Sequence, residues 1–444
     1  MHLINTLFAF VVALGTLIVA HEFGHYIVAR LCGVKVLRFS VGFGRPLLSR
    51  RLGKDQTEWV LAAFPLGGYV KMVDEREGEV APAELPRAFN RQPVHKRFAI
   101  VLAGPVANFI LAVFVYWLLF MHGLPGARPV IDAPLTGTPA AVAFHGGETI
   151  VSVAGKPVRT WEEVRLALLK AAVARHSVEV DVRDDDGALQ VHTLDLSGME
   201  PDKVNSDFLD AVGLQPLKGG PKPVVETVVA GGAAERAGVR AGDRVLAING
   251  APINGWDSLV KTIRANPGAP LEIAIRRASG ERAVLRVTPD TAQENGTAVG
   301  KIGVGPFINV QYPAGPALWQ GVKKTWDMSV FTLEMLGRMV IGEVSLKNLS
   351  GPITIADYAG QSAQMGWMAY VSFIALISIS LGVLNLLPVP VLDGGHLMYY
   401  IAEIIRGRPV SDRTLELGQR VGMVVLFSLM AFALYNDIYR LVGG

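Results

Sequence analysis

Four long stretches that contain no charged residue constrain the fold of this 444-residue chain more than any other feature. A helix of roughly 20 apolar residues is needed to cross a hydrocarbon core of about 30 Å. Charged residues make up 18% of the chain, whereas ordinary soluble domains contain about 25%. The sequence therefore predicts a multi-pass α-helical membrane protein with four transmembrane helices, at residues 3–20, 98–120, 368–387 and 421–436.

The first stretch has the length of a signal peptide as well as that of a span. A signal peptide begins with basic residues and is followed by a small-residue cleavage site. Residues 1–6 contain no Lys or Arg, and the apolar segment continues directly into the sequence HEFGH at residues 21–25. We therefore expect a retained span.

Basic residues gather in the two short loops of this arrangement. Arg30, Lys35 and Arg97 lie between the first and second stretches, and Arg406 and Arg420 lie between the third and fourth. Positive charge in short loops favours the cytoplasm. The chain is therefore expected in a lipid bilayer, with both termini and the long segment 121–367 outside, in the periplasm if the cell is Gram-negative.

Charge and cysteine content exclude other classes of protein. The net charge is only +3 and no run of Lys or Arg is present, so no nucleic-acid partner is expected. The single cysteine, Cys32, allows neither an internal disulfide framework nor a cysteine-rich zinc site.

The segment 121–367 contains an internal repeat. The sequence HGGETIVSVAG at 145–155 is followed by Trp161, and the sequence AGDRVLAING at 241–250 is followed by Trp256. The second copy resembles a PDZ domain, with Val239 where that signature has Leu. The first copy lacks the Asn-Gly pair, so its peptide groove is less well defined. We predict two periplasmic PDZ-like α+β domains that bind peptide C-termini or act only as spacers or gates.

Apolar residues recur at helical spacing after the repeat. Trp319, Trp326 and Leu333 share this pattern, and Lys323 and Glu334 fall between them. This predicts an amphipathic helix on the outer membrane face, or one packed on the second PDZ-like domain. The predicted division is 1–120 with two transmembrane helices and a cytoplasmic β-element, 121–218 and 219–312 as PDZ-like domains, 313–367 as interfacial helix and linker, and 368–444 with the last two transmembrane helices.

The sequence HEFGH carries the strongest chemical signal. On a helix, His21 and His25 lie one turn apart on one face, so both imidazoles can bind one metal ion. Glu22 lies beside the first ligand and can take a proton from a bound water. Ionisable residues near the centre of a membrane helix cost about 2.5–3.5 kcal/mol each, which argues for a function. A polar helix end that emerges from the bilayer is the alternative.

A zinc hydrolase uses three protein ligands and leaves the fourth position to water, so one ligand must come from elsewhere. The sequence NLLPVPVLDGGH at residues 385–396 follows the third stretch. Its prolines break the helix, and irregular backbone at membrane depth requires surrounding protein or a water-filled cavity. The first and third spans run in the same direction, which brings Asp393 and His396 near the leaflet of His21. Spacing leaves the choice between Asp393 and His396 open.

The combination of His-Glu-x-x-His on a first span and a later Asn-x-x-Pro-x-Pro-x-x-Asp-Gly resembles the site-2 protease family of intramembrane zinc metalloproteases. The segments GGYVKM at 67–72, GPVANF at 104–109 and LSGPI at 349–353 are also similar to segments of that family. The resemblance implies that His21, His25 and Asp393 bind one Zn²⁺ per chain. It also implies that Glu22 is the general base and that His396 is not a ligand.

The resemblance implies a reaction, the hydrolysis of peptide bonds within transmembrane segments of single-pass membrane proteins. Asn385 is our candidate for holding the substrate backbone or the oxyanion, with helix capping as the alternative. Residues 37–43 alternate in a strand pattern, and residues 58–61 and 69–72 are candidates to pair with them. Such a β-element would hold an unwound substrate along its edge, or would only plug the cavity.

The resemblance also implies a biological role. Such a protease cuts an anti-sigma factor that another protease has already trimmed, in the sigma-E envelope stress response, and removes remnant signal peptides. The PDZ-like domains would filter substrates by size or read new C-termini. Two other classes stay open: a non-catalytic scaffold, which needs no Glu22, and a metal transporter, which usually has paired broken helices in repeated halves.

Overall fold

The computed structural model describes residues 2–184, 187–199, 208–216, 223–294, 297–345 and 350–443. The chain forms two compact units. The first contains Met1–His122, Tyr312–Gly337 and Leu346–Gly444, and the second contains Gly123–Gln311 and Arg338–Ser345. The five-part division stays a prediction, and its boundary between residues 218 and 219 lies outside the described residues.

The first unit is built from helices and one β-element. Two short 3₁₀ turns, Leu85–Arg87 and Phe89–Arg91, precede its second helix. Its other elements are α1 (His2–Leu31), β1 (Val36–Leu52), β2 (Thr57–Met72), α2 (Val94–His122), α8 (Ala314–Val340, whose last residues belong to the second unit), α9 (Pro352–Met365), α10 (Trp367–Asn385), α11 (Asp393–Arg406) and α12 (Asp412–Gly443).

Among the described residues, four helices are long and apolar enough to cross a membrane, which agrees with the four predicted spans. The sequence predicts two of them too short. Helix α1 continues past residue 20 through the HEFGH sequence, and α12 extends on both sides of 421–436. Charged residues end an apolar stretch without ending a helix, and no proline interrupts residues 2–31. The four segments are Ile4–Leu31, Val94–His122, Trp367–Asn385 and Arg413–Tyr439.

Helix α1 packs against α2, α9 and β2. Its first half contributes Ala9, Ala13 and Leu17 to a core shared with Phe373 and Ile374 of α10. Its second half contributes Tyr26 and Ala29 to a second core that includes Ile100 of α2. The other buried residues of that second core are Val34, Val36 and Phe39. The two cores hold both ends of α1, with the HEFGH sequence between them.

Helices α1 and α2 cross in close contact at a glycine. A Cβ on Gly24 of α1 would lie 2.3 Å from the carbonyl oxygen of Ala103 in α2 and 2.7 Å from Cβ of Ala107. Atoms do not approach so closely, so only glycine is compatible with this crossing. The two backbones are therefore in direct contact one residue before His25.

The predicted β-element consists of β1 and β2, which pair over most of their length. Residues 38–41 pair on one side with 68–71 and align on the other side with 58–61, while 46–52 pair with 57–62. Arg38 of β1 forms an ion pair with Glu58 of β2 at 2.7 Å. Arg87 from the first 3₁₀ turn binds both carboxylate oxygens of Asp55 at 2.8 Å.

The segment predicted as one interfacial helix and linker contains two helices, α8 and α9. Trp319 and Trp326 of α8 are 66% and 70% exposed. A Cβ on Gly321 of α8 would lie 3.0 Å from the carbonyl oxygen of Val113 in α2, so α8 packs against α2 at Gly321.

Helix α9 begins against a carboxylate from α12. Asp437 accepts hydrogen bonds from the backbone N–H groups of Gly351 and Ile353 at 2.9 Å and from the hydroxyl of Thr354. An N-terminal helix end has unpaired N–H groups and a positive partial charge, and a carboxylate satisfies both. Asp437 therefore fixes the start of α9 and links it to α12.

The second unit contains two four-stranded sheets of the same order, β5-β4-β6-β7 and β10-β9-β11-β12, each with one helix that follows its first hairpin. These positions correspond to the two copies of the sequence repeat. The first sheet and its helix are β4 (Thr149–Val153), β5 (Lys156–Pro157), α4 (Trp161–Val173), β6 (Val178–Arg183) and β7 (Leu189–Leu194). The second are β9 (Arg244–Ile248), β10 (Ala251–Pro252), α7 (Trp256–Arg264), β11 (Leu271–Arg276) and β12 (Arg282–Val287).

Short elements complete the second unit. Strand β3 pairs with β16, β8 pairs with β15, and β13 pairs with β14. Their bounds are β3 (Leu124–Ala127), α3 (Pro139–Ala143), α5 (Phe208–Val212), β8 (Thr227–Val228), α6 (Ala233–Arg236), β13 (Asp290–Glu294), β14 (Thr297–Lys301), β15 (Val304–Gly305) and β16 (Phe307–Val310).

The same tight turn joins the first hairpin of each copy. Asn249 and Gly250 both have positive φ, at 49° and 78°, as a two-residue turn between antiparallel strands requires. In the first copy, Ala154 and Gly155 take the same conformation at 51° and 68°. The missing Asn-Gly pair of the first copy therefore changes the residue in the turn and not the turn itself.

The α1–α2 crossing gives a matched pair of glycine substitutions. Gly24→Ala should lower the stability of the folded protein by roughly 1–3 kcal/mol, because the new methyl group overlaps the α2 backbone. Gly15→Ala adds the same group to the same helix where no atom lies within 4 Å, and it should preserve stability. Thermal unfolding of the full chain in detergent, with a chelator present, compares the two. Equal midpoints would contradict the close crossing.

Candidate metal centre

Helix α1 places the two histidines of the HEFGH sequence on one face. Nε2 of His21 lies 3.3 Å from Nε2 of His25, and the side chains are only 13% and 12% exposed. The positions four apart on a helix are neighbours, so the spacing alone accounts for this pair. The structure thus brings together the two residues predicted as metal ligands.

Asp393 reaches the same point from the other end of the chain. Helix α10 ends at Asn385, seven residues of irregular backbone follow, and Asp393 is the first residue of α11. A Cβ on Gly394 would lie 2.2 Å from the carbonyl oxygen of Leu387, and one on Gly395 would lie 2.4 Å from Cα of Pro390. The two glycines therefore allow the irregular segment to fold back on the start of α11.

These three side chains form a compact cluster. Oδ2 of Asp393 lies 3.1 Å from Nε2 of His21 and 3.6 Å from Nε2 of His25. Within the described part of the chain, they form the one group of three residues that could hold a metal ion, with ligand atoms within 4.8 Å of one another.

The geometry of the cluster suits zinc. Zinc bonds of about 2.1 Å in a tetrahedral arrangement separate two ligand atoms by roughly 3.4 Å, and the three observed distances lie on both sides of that value. Oδ2 of Asp393 is buried and has no hydrogen-bond partner among the described residues. A buried carboxylate oxygen without a partner is costly, and a cation between the three ligand atoms removes that cost.

The far side of each imidazole also has a polar contact. Nδ1 of His25 lies 2.8 Å from the carbonyl oxygen of Ile100 in α2. A carbonyl only accepts hydrogen bonds, so His25 carries its proton on Nδ1 and presents a lone pair at Nε2. Nδ1 of His21 lies 3.2 Å from the side-chain amide of Asn108 in α2. Metal-binding histidines generally have such an orienting partner on the second nitrogen.

Helix α2 contacts the two imidazoles at a glycine. A Cβ on Gly104 would lie 2.3 Å from Nε2 of His25 and 2.8 Å from Cε1 of His21. Any side chain at this position would occupy the space of the imidazoles. Sequence reasoning noted the segment 104–109 only for its similarity to a family, and it assigned no role to Gly104 or Asn108.

The predicted base, Glu22, follows His21 in α1 and lies against the β-element. Its side chain is partly buried, and a Cβ on Gly68 of β2 would lie 3.0 Å from its Cγ. Gly68 pairs with Val41 of β1. Strand β2 therefore passes directly beside Glu22, and the sequence gives no direct signal of that contact.

The structure separates the two candidates for the third ligand. Asp393 belongs to the cluster, whereas His396, one helical turn later in α11, does not belong to it. Asn385, the predicted substrate-binding residue, lies with its side-chain amide 3.5 Å from Nδ1 of His21. Asn385 is thus next to a predicted ligand, and its contact with substrate stays a prediction.

Comparison with known proteins identifies the family of this chain. A model of peptidase family M50 matches residues 9–429. The regulator of sigma-E protease RseP of Salmonella typhimurium is 45% identical, and RseP of Escherichia coli is 43% identical, each over 98% of both chains. A protein of Ralstonia nicotianae that carries the name of a zinc metalloprotease is 44% identical over 98% of both chains.

The chain belongs to peptidase family M50. This is the site-2 protease family, so the resemblance inferred from the motifs is confirmed. The chain is accordingly a zinc metalloprotease of the site-2 type. Its four apolar helices and its RseP relatives support a protein of the inner membrane.

Because Gly104 of α2 lies beside the imidazoles, its substitution should affect metal binding. Gly104→Ala should reduce the zinc retained by the purified protein, by about tenfold or more in affinity, because the methyl group displaces His25. Gly15→Ala, in open space on α1, should retain zinc like the wild type. Elemental analysis after dialysis against a weak chelator measures the ratio of zinc to protein. A Gly104→Ala protein that keeps a full complement of zinc would contradict the placement of α2.

Proposed function

We propose that this chain hydrolyses peptide bonds within the transmembrane segments of single-pass membrane proteins, with one zinc ion per chain. The observation that carries the proposal is the convergence of His21, His25 and Asp393 on one point, with Glu22 next to His21 in the same helix. Three of these four residues, His21, Glu22 and His25, lie on an apolar helix long enough to cross a membrane. Charged side chains at such a position are costly unless they serve a function.

The three ligand residues and the base have different roles in the reaction: the ligands hold the metal, and Glu22 transfers protons. Zinc held by His21, His25 and Asp393 would supply a Lewis acid, which would polarise the scissile carbonyl and lower the pKa of water. Glu22 takes the proton of the attacking water and later gives it to the leaving nitrogen. The neighbouring β2 strand limits the positions that the Glu22 carboxylate can occupy.

The β-element gives a means of presenting the substrate. A helical substrate has its peptide bonds in internal hydrogen bonds, so it must unwind before it can be cut. Residues 68–71 of β2 pair with β1 on one side, and no other described strand pairs with them on the other. An unwound segment that joins this edge as a further strand lies beside Glu22 and keeps its backbone hydrogen bonds.

We assign the metal-binding end of the helices to the cytoplasmic side of the inner membrane. Arg97, at the start of α2, forms an ion pair with Glu403 of α11 at 2.6 Å. Arg30 lies at the end of α1, and Arg87 and Arg91 lie in the adjoining loop. Positive charge near span ends favours the cytoplasm. The second unit is then periplasmic.

The second unit would select substrates through its PDZ-like domains. The second copy of the repeat has a cleft between α7 and β14 that is lined by apolar and charged side chains. This cleft fits a peptide C-terminus bound along a strand edge, or the domains act only as a size filter. The lining includes Asp257, Val260, Lys261 and Arg264 of α7 and Ala298 and Val299 of β14.

The substrate that we propose is a trimmed anti-sigma factor of the sigma-E envelope stress response. Two relatives that are 43% and 45% identical over nearly their whole length carry the name regulator of sigma-E protease. Remnant signal peptides, which are also single apolar helices, form a second substrate class for the same site.

The assignment of Glu22 as the base is tested by cleavage. Cells that co-express a tagged, pre-trimmed single-span substrate with Glu22→Gln should show a loss of product of about 10²–10⁴-fold relative to the wild-type chain. The amide keeps the shape of the side chain and removes its basicity. Immunoblots at equal protein levels measure the product band.

Glu416→Gln is the matched control, because Glu416 is exposed on α12 and should leave cleavage unchanged. Zinc content should be the same in the wild type, Glu22→Gln and Glu416→Gln proteins. Equal cleavage by Glu22→Gln and the wild type would remove Glu22 as the base. Loss of zinc in Glu22→Gln would instead indicate that Glu22 supports the metal site.

The proposed orientation is tested by labelling with a membrane-impermeant maleimide in a Cys32→Ser background. Val142→Cys in the second unit, where the natural side chain is 91% exposed, should react in spheroplasts. Lys54→Cys, at the exposed turn between β1 and β2, should react only after lysis. The reverse pattern would invert the orientation.

A further inference from the structure

One polar contact of the metal centre has no role in the reaction described so far. Nδ1 of His21 faces the side-chain amide of Asn108 at 3.2 Å and that of Asn385 at 3.5 Å. Asn108 is fully buried at 0% exposure, whereas Asn385 is only partly buried. Oδ1 of Asn108 is buried and has no hydrogen-bond partner among the described residues. Burying an amide in this way is costly unless it makes its hydrogen bonds.

The fold holds Asn108 in place independently of its side chain. Its backbone carbonyl accepts a hydrogen bond from the hydroxyl of Ser378 in α10 at 2.8 Å. Ser378 is itself fully buried. Helices α2 and α10 therefore fix the position of the amide, and rotation about the side-chain bonds is the freedom that it retains.

The position of the proton on His21 decides which end of the Asn108 amide can face it. A neutral imidazole binds a metal through the nitrogen that has no proton, and it carries its proton on the other nitrogen. Nε2 of His21 points to Asp393 and His25, so a metal-bound His21 has its proton on Nδ1. An Nδ1–H group needs an acceptor, and the Asn108 amide offers one through Oδ1.

The opposite arrangement suits a site without metal. Nε2–H of His21 can then donate to Oδ2 of Asp393, and Nδ1 accepts a hydrogen bond from Nδ2 of Asn108. The oxygen and nitrogen of an asparagine amide have nearly the same shape, and the hydrogen-bond network determines their orientation. His25 lacks this freedom, since its partner, the Ile100 carbonyl, can only accept.

We propose that Asn108 is a positioning residue for the metal centre. Its amide turns over on metal binding, so that Oδ1 accepts the Nδ1–H of His21 and holds the ring with Nε2 directed at the metal. An amide, unlike a carbonyl or a carboxylate, serves both proton positions of His21. The proposal rests on the zinc centre that is proposed above.

Measurements of zinc affinity distinguish a positioning role of the Asn108 amide from a role in packing alone. Asn108→Leu keeps the branched shape of the side chain, is somewhat larger and has no hydrogen-bonding group, and it should weaken zinc binding by about 10–100-fold. Asn108→Asp keeps an acceptor for Nδ1–H, and its affinity should be much closer to that of the wild type. Competition with a chromophoric chelator on the purified full chain in detergent, at one fixed pH, measures the dissociation constants.

Ser380→Ala is the matched control, because the Ser380 hydroxyl donates only to the Leu376 carbonyl of its own helix and the substitution leaves Asn108 and its contacts intact. It should bind zinc like the wild type. Thermal unfolding in the presence of a chelator shows whether each variant folds. If Asn108→Leu does not fold, Asn108→Ala removes the same amide without adding branched bulk, and the same loss of affinity is expected.

Two results would overturn the role of Asn108. One is an Asn108→Leu protein that binds zinc as tightly as the wild type, and the other is an Asn108→Asp protein that binds zinc as weakly as Asn108→Leu. A wild-type chain that binds no zinc, or a His21→Ala chain that still binds it tightly, would overturn the zinc centre itself. The wild-type and His21→Ala measurements therefore distinguish failure of the proposed function from failure of this inference.

Discussion

The backbone contact between α1 and α2 is the constraint on which the metal centre depends. Gly24 brings α1 against the Ala103 carbonyl, and Gly104 leaves room for the imidazoles on the facing side. A residue with a side chain at either position would separate the helices or displace His25. The same approach lets Nδ1 of His25 reach the Ile100 carbonyl. Helix packing thus determines which nitrogen carries the proton, and packing and ligand chemistry cannot be changed independently.

Asp393, the proposed third ligand, requires a break in a membrane helix. The backbone from 386 to 392 has no regular secondary structure, and unpaired peptide groups at membrane depth are tolerated only inside protein or next to water. Gly394 and Gly395 let this segment pack on the start of α11. The Arg97–Glu403 ion pair holds the other end of α11 against α2. Asp393 is therefore carried by a short rigid helix, although the segment before it is irregular.

Sequence reasoning predicted the parts of the site that one segment determines. The spacing within HEFGH places His21 and His25 on one face of any helix, and four uncharged stretches predict four spans. The choice between Asp393 and His396 depended on resemblance, because both follow the same irregular segment. The roles of Gly104, Asn108 and Gly68 were missed because each depends on how two elements cross. Nothing in a single segment shows that Asn108 faces His21, or that Asp437 of α12 accepts hydrogen bonds from the start of α9.

The β-element contacts the candidate site and also has a strand edge that could bind an unwound substrate. Breaking the hydrogen bonds of a membrane helix leaves each peptide group unsatisfied at several kcal/mol, so no protease can unwind its substrate without replacing those bonds. A strand edge replaces them along the whole extended segment. Gly68 lies on that strand and also against Glu22, where no side chain would fit. Under the proposed function, the strand edge that would receive the substrate backbone and the base that would act on it therefore meet at one glycine contact.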